Sequence, residues 1–245
     1  MSAFFNHLWI QFKMDIREKG TLMTYYLVPL VFYLVIGAVF SSVNPASKQT
    51  MAAAMPIFAI TMGAVLGMPV PIVKMREAGV LRAYRVSGIP GWAVLLIHSF
   101  SAFLHLVAVT VIIFATAPVL YGAALPKNMA AYLLVLLVLL FASIALGLLI
   151  GVAARSQSIA MMMSQAVFLP TVMLGGIMFP ASMLPEPLRI IGYVLPSTHA
   201  MQSFSSLAFG LPSDITGVLS LLVMTGIGIL ASCLAAARYR ASMKS

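Results

Sequence analysis

The residues that could carry chemistry are few and poorly placed for it. Five carboxylates occur in 245 residues: Asp15, Glu18, Glu77, Glu186 and Asp214. All five fall in polar or mixed segments, and none lies mid-way along an apolar run. Ion-coupled carriers place an ionisable group near the bilayer midplane. Its absence counts against a proton- or sodium-driven carrier. His98 and His105 are seven residues apart in one apolar run and share a helix face. Seven helical residues rise about 10 Å, too far for both rings to ligate one metal ion. They suit interhelical hydrogen bonding or a pore-facing position instead. There is no H-E-x-x-H, no G-x-S-x-G and no Gly-Lys-Ser/Thr triplet, so the chain carries no P-loop for ATP. Cys233 is the single cysteine, which excludes an intrachain disulfide and a zinc site built on cysteines. Neither a catalytic nor a metal site is expected.

Charge is concentrated elsewhere. Lys74, Arg76, Glu77, Arg82 and Arg85 crowd into one short stretch, "KMREAGVLRAYRVSGIPGW" at 74–92. The chain around it is 62% hydrophobic and only 8% charged, against about 25% charged in ordinary globular chains. Its mean hydropathy is +1.08. Such a composition belongs to a polytopic membrane protein. The net charge of +9 is then a matter of loop placement, and nucleic acid is not an expected partner.

The elements that must position these residues are helices. Residues 3–16 read as an amphipathic helix with Phe5, Leu8, Trp9, Phe12 and Ile16 on one face and Asn6, Gln11, Lys13 and Arg17 off it. It suits the membrane interface. The charges among the first nineteen residues, without an apolar block and small-residue site, argue against a cleavable signal peptide. Six spans follow, near Leu22–Phe40, Met51–Val73, Ala93–Leu120, Met129–Ala153, Ile159–Phe179 and Ile215–Ala237. Pro56, Pro69 and Pro71 should kink the second. Lys13, Arg17, Lys19, Lys74, Arg76, Arg82, Arg85, Arg155, Arg238, Arg240 and Lys244 fall on one side. Only Lys48, Lys127 and Arg189 fall on the other. That asymmetry predicts both termini in the cytoplasm.

Two stretches are richer than simple connections. Residues 75–86 suit a short helix: Glu77 complements its N-terminal dipole, Arg82 and Arg85 its C-terminal end. Val80, Leu81 and Tyr84 form an apolar cluster on it, and "SGIPG" stops it. It reads either as a topology-setting basic loop or as a docking lever for a cytoplasmic protein. Residues 180–212 are cut by Pro180, Pro185, Pro187, Pro196 and Pro212 into two short apolar helices, near 186–194 and 198–209. They are too short to span and too apolar for a free loop, which suggests a re-entrant hairpin packed within protein. Gly175 and Gly176 should let the fifth span bend there. Gln165 is expected to face other helices, and Met161, Met162 and Met163 to form a soft packing surface.

The order of parts resembles the permease subunit of a type-2 ATP-binding-cassette exporter. "KMREAGVLRAYRVSG" is similar to that family's "E-R-E-x-G-T-L-x-R-L-R-x-x-P" segment at Arg76, Glu77, Gly79, Leu81, Arg82 and Arg85. "GGIMFPASMLPEPLRIIGYVLPSTHAMQSF" resembles its "G-x-x-F-P-x-x-x-L-P…L-P-x-T" signature at Gly176, Phe179, Pro180, Leu184, Pro185, Leu195, Pro196 and Thr198. Lys74, Val80 and Ser87–Gly88 depart from the first pattern.

The resemblance implies an all-α membrane domain over 1–245. Its parts would be an N-terminal interface helix within 1–20, a cytoplasmic coupling helix in 74–90 and a re-entrant external hairpin in 180–212. It implies cytoplasmic P-loop ATPase subunits, carrying ATP and magnesium themselves, that meet Arg76, Glu77, Gly79, Leu81, Arg82, Tyr84 and Arg85. It also implies a second copy or a paralogous permease as partner in lipid. The substrate path would run between the two, lined by the second and fifth spans with Met162, Gln165 and Met173. Residence in a bacterial inner membrane and export of a drug-like or lipid-like amphipathic molecule complete the expectation. An ATP-independent secondary transporter or channel, and a non-transporting scaffold, are the alternatives.

Overall fold

In lipid a chain must satisfy its backbone internally, and long apolar runs do so as helices. The computed structural model describes residues 2–43, 48–80, 84, 86, 89–178 and 183–242, without the side chains of 2–4, 43 and 242. Helix α1 is Ser2–Arg17. Six helices are long and apolar enough to cross a membrane: α2 (Lys19–Ser42), α3 (Met51–Glu77), α4 (Gly91–Tyr121), α5 (Met129–Ala153), α6 (Gln157–Leu174) and α9 (Gly217–Ala241). Between α6 and α9 lie two short helices, α7 (Glu186–Gly192) and α8 (Pro196–Ser203). The described residues form an all-helical, multi-pass membrane protein.

The six spans alternate in direction. Lys74, Arg76 and Arg155 mark one end, here called the basic end. At the opposite end Lys48 lies beside Ala124, and Asn128 beside Ala208.

Helix α3 is the core of the bundle, with every residue from Met51 to Val65 buried. Such burial needs close helix approach. A Cβ on Gly147 of α5 would collide with the Ala64 carbonyl, and one on Gly151 would sit 2.9 Å from Ile72. Small residues are what let helices pack this tightly in a membrane. Burial also leaves backbone groups to satisfy. Pro56 lacks an N–H, so the Ala52 carbonyl one turn earlier loses its helical donor. The Tyr132 hydroxyl of α5 donates to that carbonyl at 2.7 Å. Farther along α3, a wide π turn at Met62–Gly67 precedes Pro69 and Pro71, consistent with the kink expected there.

Two of the boundaries that differ from the sequence reading bear on the site. Helix α6 stops at Leu174 rather than running to Phe179, because Gly175 caps it and Gly176 turns the chain at φ 75°. Helix α3 runs on to Glu77, past the expected Val73, and breaks only at Ala78–Gly79. Gly79 sits at φ 71°, where a side chain would be strained although there is room for one. Hence 75–86 is not one helix. Lys74, Arg76 and Glu77 end the second span, and helical backbone resumes at Val80, Tyr84 and Val86. Leu81, Arg82 and Arg85 lie outside the described residues, as do Phe179 and Pro180.

Candidate functional site

At the basic end, the break at Gly79 leaves Arg76 and Glu77 on the α3 side, Arg76 half-buried and Glu77 exposed. The Arg76 guanidinium donates to the Val152 carbonyl at 3.1 Å and also to the Ala154 carbonyl. These carbonyls belong to the last residues of α5 and its cap, where helical donors have run out. A cation there also complements the negative end of the helix. Glu77 accepts from the Gln157 side chain at 2.6 Å, at the first residue of α6. Thus two neighbouring residues of α3 hold both sides of the turn at 154–157. Among the expected ATPase-facing residues, Arg76 and Glu77 bond within the chain, and Glu77 and Gly79 are exposed. Tyr84 is half-buried against α1: its hydroxyl lies 3.2 Å from His7 Nε2, and the two rings stack at 5.3 Å.

Helix α1 is amphipathic as expected, and its apolar face is shared between an exposed side and the bundle. Trp9 and Phe5 are exposed, while His7, Leu8, Gln11 and Phe12 are half-buried and Asp15 is buried. Asp15 accepts from Gln11 at 2.8 Å and from the Ser101 hydroxyl of α4 at 2.5 Å. His105 Nε2 lies 3.8 Å away. The other His105 nitrogen is 2.7 Å from the Tyr26 hydroxyl of α2, so this histidine does make an interhelical bond. Burial pushes the Asp15 carboxyl up. His105, the Ser101 hydroxyl, nearby His98 and the Gln11 amide outweigh that and hold it below its ordinary value. The sequence reading placed Asp15 only in a polar or mixed segment and missed this cluster. The spacing of Leu8, Phe12 and Asp15 at 4 and 3 residues was the available sign.

The opposite end gathers most of the second motif. Every residue of α8 is buried except Met201. Thr198 donates to the Gly192 carbonyl at 2.6 Å and His199 Nε2 to the Tyr193 carbonyl at 2.8 Å, which folds α7 onto α8. Ser203 reaches the Gly217 carbonyl at 3.0 Å, and Gln202 accepts from the Asp214 N–H at 3.0 Å. A Cβ on Gly175 would overlap Ser197 and the Thr171 carbonyl. Pro196 opens α8 and Pro185 caps α7, each helix having proline at its first turn. Leu184 and Leu195 are half-buried beside them. The motif residues Gly176, Leu184, Pro185, Leu195, Pro196 and Thr198 are therefore joint and cap positions of one folded unit.

Met162, Gln165 and Met173 fall on one stripe of α6, and the chain leaves all three exposed. Gln165, expected to face other helices, is exposed among the described residues. The second span, expected beside it on an open path, is instead buried over its first fifteen residues.

A family model described as ABC-2 type transporter matches residues 2–209. That range takes in α1, the charged stretch and all of α7 and α8. No curated protein matches the chain.

Proposed function

Because the chain belongs to the ABC-2 type transporter family, a family of transporter membrane subunits, we propose that it is the permease of an ATP-driven exporter. It works as a half-transporter with a second copy or a paralogue. A separate P-loop ATPase supplies the energy on the basic side, which faces the cytoplasm of a bacterial cell, and α7–α8 form a re-entrant hairpin on the far side. The observation that carries this reading is the pair of bonds from Arg76 and Glu77 to the 154–157 turn. A push on the segment beyond Gly79 reaches the end of α3, and those bonds carry it to the end of α5 and the start of α6. Helix α6 is the span with the uncovered Gln165, so the movement arrives at the stripe proposed to meet the second permease and the substrate. The methionines beside Gln165 and the absence of mid-span carboxylates favour an amphipathic or lipid-like cargo over an ion.

The test is reconstitution of the chain with the ATPase that co-purifies with it, followed by flux measurement across a panel of amphipathic drugs and lipids. ATP-dependent, outward flux is expected. Flux driven by an ion gradient without ATP would establish a secondary transporter instead. A chain that recruits no ATPase and moves nothing would establish a scaffold.

A further inference from the structure

Asp15 is buried in a helix whose exposed face is greasy enough to lie on lipid without it. A helix held by lipid alone would turn its carboxylate to water. Here the carboxylate enters the bundle instead, where Ser101 donates to it and His105 faces it. Phe12, one turn before Asp15, stacks on the His105 ring at 4.4 Å, and Tyr25 of α2 stacks at 5.4 Å. The Ser101–Asp15 hydrogen bond, the Phe12 ring on His105 and the His105–Tyr26 hydrogen bond therefore tie α1, α4 and α2 together. The Tyr26 hydroxyl can donate to the His105 nitrogen or accept from it, so that bond forms with either ring tautomer. At the other end of α1, His7 meets Tyr84. From His7 to Asp15 is about 12 Å of helix. One rigid rod thus touches the charged stretch at one end and the interior of α4 at the other.

We propose that Asp15 is a positioning residue for transport: its hydrogen bond from Ser101, with the His105 ring facing it, fixes the rotation of α1, and α1 passes movement at Tyr84 to α4. That role presupposes the ATP-driven transport proposed above. It adds a route separate from the Arg76–Glu77 route, through the third span rather than the fourth and fifth. Buried polar groups are suited to this task, since a single wrong rotation leaves them unpaired.

The test uses the full chain with its ATPase, comparing wild type with Asp15→Asn, Asp15→Glu and Ser101→Ala. Asp15→Asn should lower ATP-dependent flux about tenfold while ATP hydrolysis continues, so flux per ATP falls. Asp15→Glu should restore part of that ratio, and Ser101→Ala should cost less than Asp15→Asn. A parallel measurement needs no ATPase: His7→Cys with Tyr84→Cys, in a Cys233→Ser background, should cross-link efficiently and lose several-fold of that yield when Asp15→Asn is added. Wild-type flux per ATP in Asp15→Asn, or an unchanged cross-link, would overturn the role of Asp15. If wild type itself shows no ATP-dependent flux, the transport reading fails. The cross-link then still decides whether Asp15 sets the position of α1.

Discussion

Arg76 and Asp15 are charged residues whose work is internal. Arg76 supplies two donors to backbone carbonyls that have no other helical donor. Replacing it with Ala should cost about 1–3 kcal/mol of stability. Lys, with a point charge instead of a fork, should recover less than half. Thermal unfolding in detergent, with membrane insertion checked separately, measures both. Asp15 gives a pH prediction. Its carboxyl is held below the ordinary value of 3.8, so the unfolded chain takes up a proton before the folded one does. The stabilisation is complete above that ordinary value and is lost as pH falls through the lower, folded value. Trp9 fluorescence should therefore report a docked α1 unchanged down to about pH 5, with a change confined to stronger acid. Asp15→Asn should abolish that acid transition, and a wild-type transition near neutrality would contradict the assignment.

At the scale of elements, proline and glycine show how α3 is held at the centre. Tyr132→Phe removes the donor to the carbonyl that Pro56 leaves unpaired, at an expected cost of about 1–3 kcal/mol. In a Pro56→Ala background the helix supplies that donor itself, so the same change should cost much less. Equal losses in both backgrounds would break the argument. Gly147→Ala should destabilise by about 1–3 kcal/mol, since the added methyl meets the Ala64 backbone rather than a movable side-chain tip. Gly226→Ala on α9 meets nothing within 4 Å and should lie within about 0.5 kcal/mol of wild type. The spans themselves were readable in the sequence, because twenty apolar residues have few other fates. So were α7 and α8, which prolines delimit. The break at Gly79 was not. Its glycine is needed for a positive φ, and the surrounding charges read equally well as one continuous helix. Nor was the inward turn of Asp15, because amphipathic periodicity reports where apolar residues lie. It does not say which edge of that face meets protein and which meets lipid. Arg76 and Glu77 stood out in the sequence as charges, but their partners at 152–157 are distant in sequence and no local pattern announces them.

At the scale of the whole molecule, the described residues leave one stripe of α6 exposed. Helix α3 is saturated with contacts, while α6 shows Met162, Gln165, Leu169 and Met173 along a single stripe. Leucine and methionine are content in lipid, but a carboxamide in hydrocarbon lacks hydrogen-bond partners and is stabilised by protein or water. A second copy placed along this stripe would give Gln165 its symmetric counterpart, since a two-fold interface brings a residue near its own equivalent. The single native cysteine makes the test clean. In a Cys233→Ser background, Gln165→Cys should form a disulfide-linked dimer in membranes under mild oxidation. Met162→Cys and Met173→Cys, on the same stripe, should cross-link at yields that follow their distance from the two-fold axis. Leu222→Cys, exposed on α9, should remain monomeric. Cross-linking through Leu222 with none along α6 would move the interface to the last span. It would also detach Gln165 from the substrate path, because that path requires the two permeases to meet where α6 is bare.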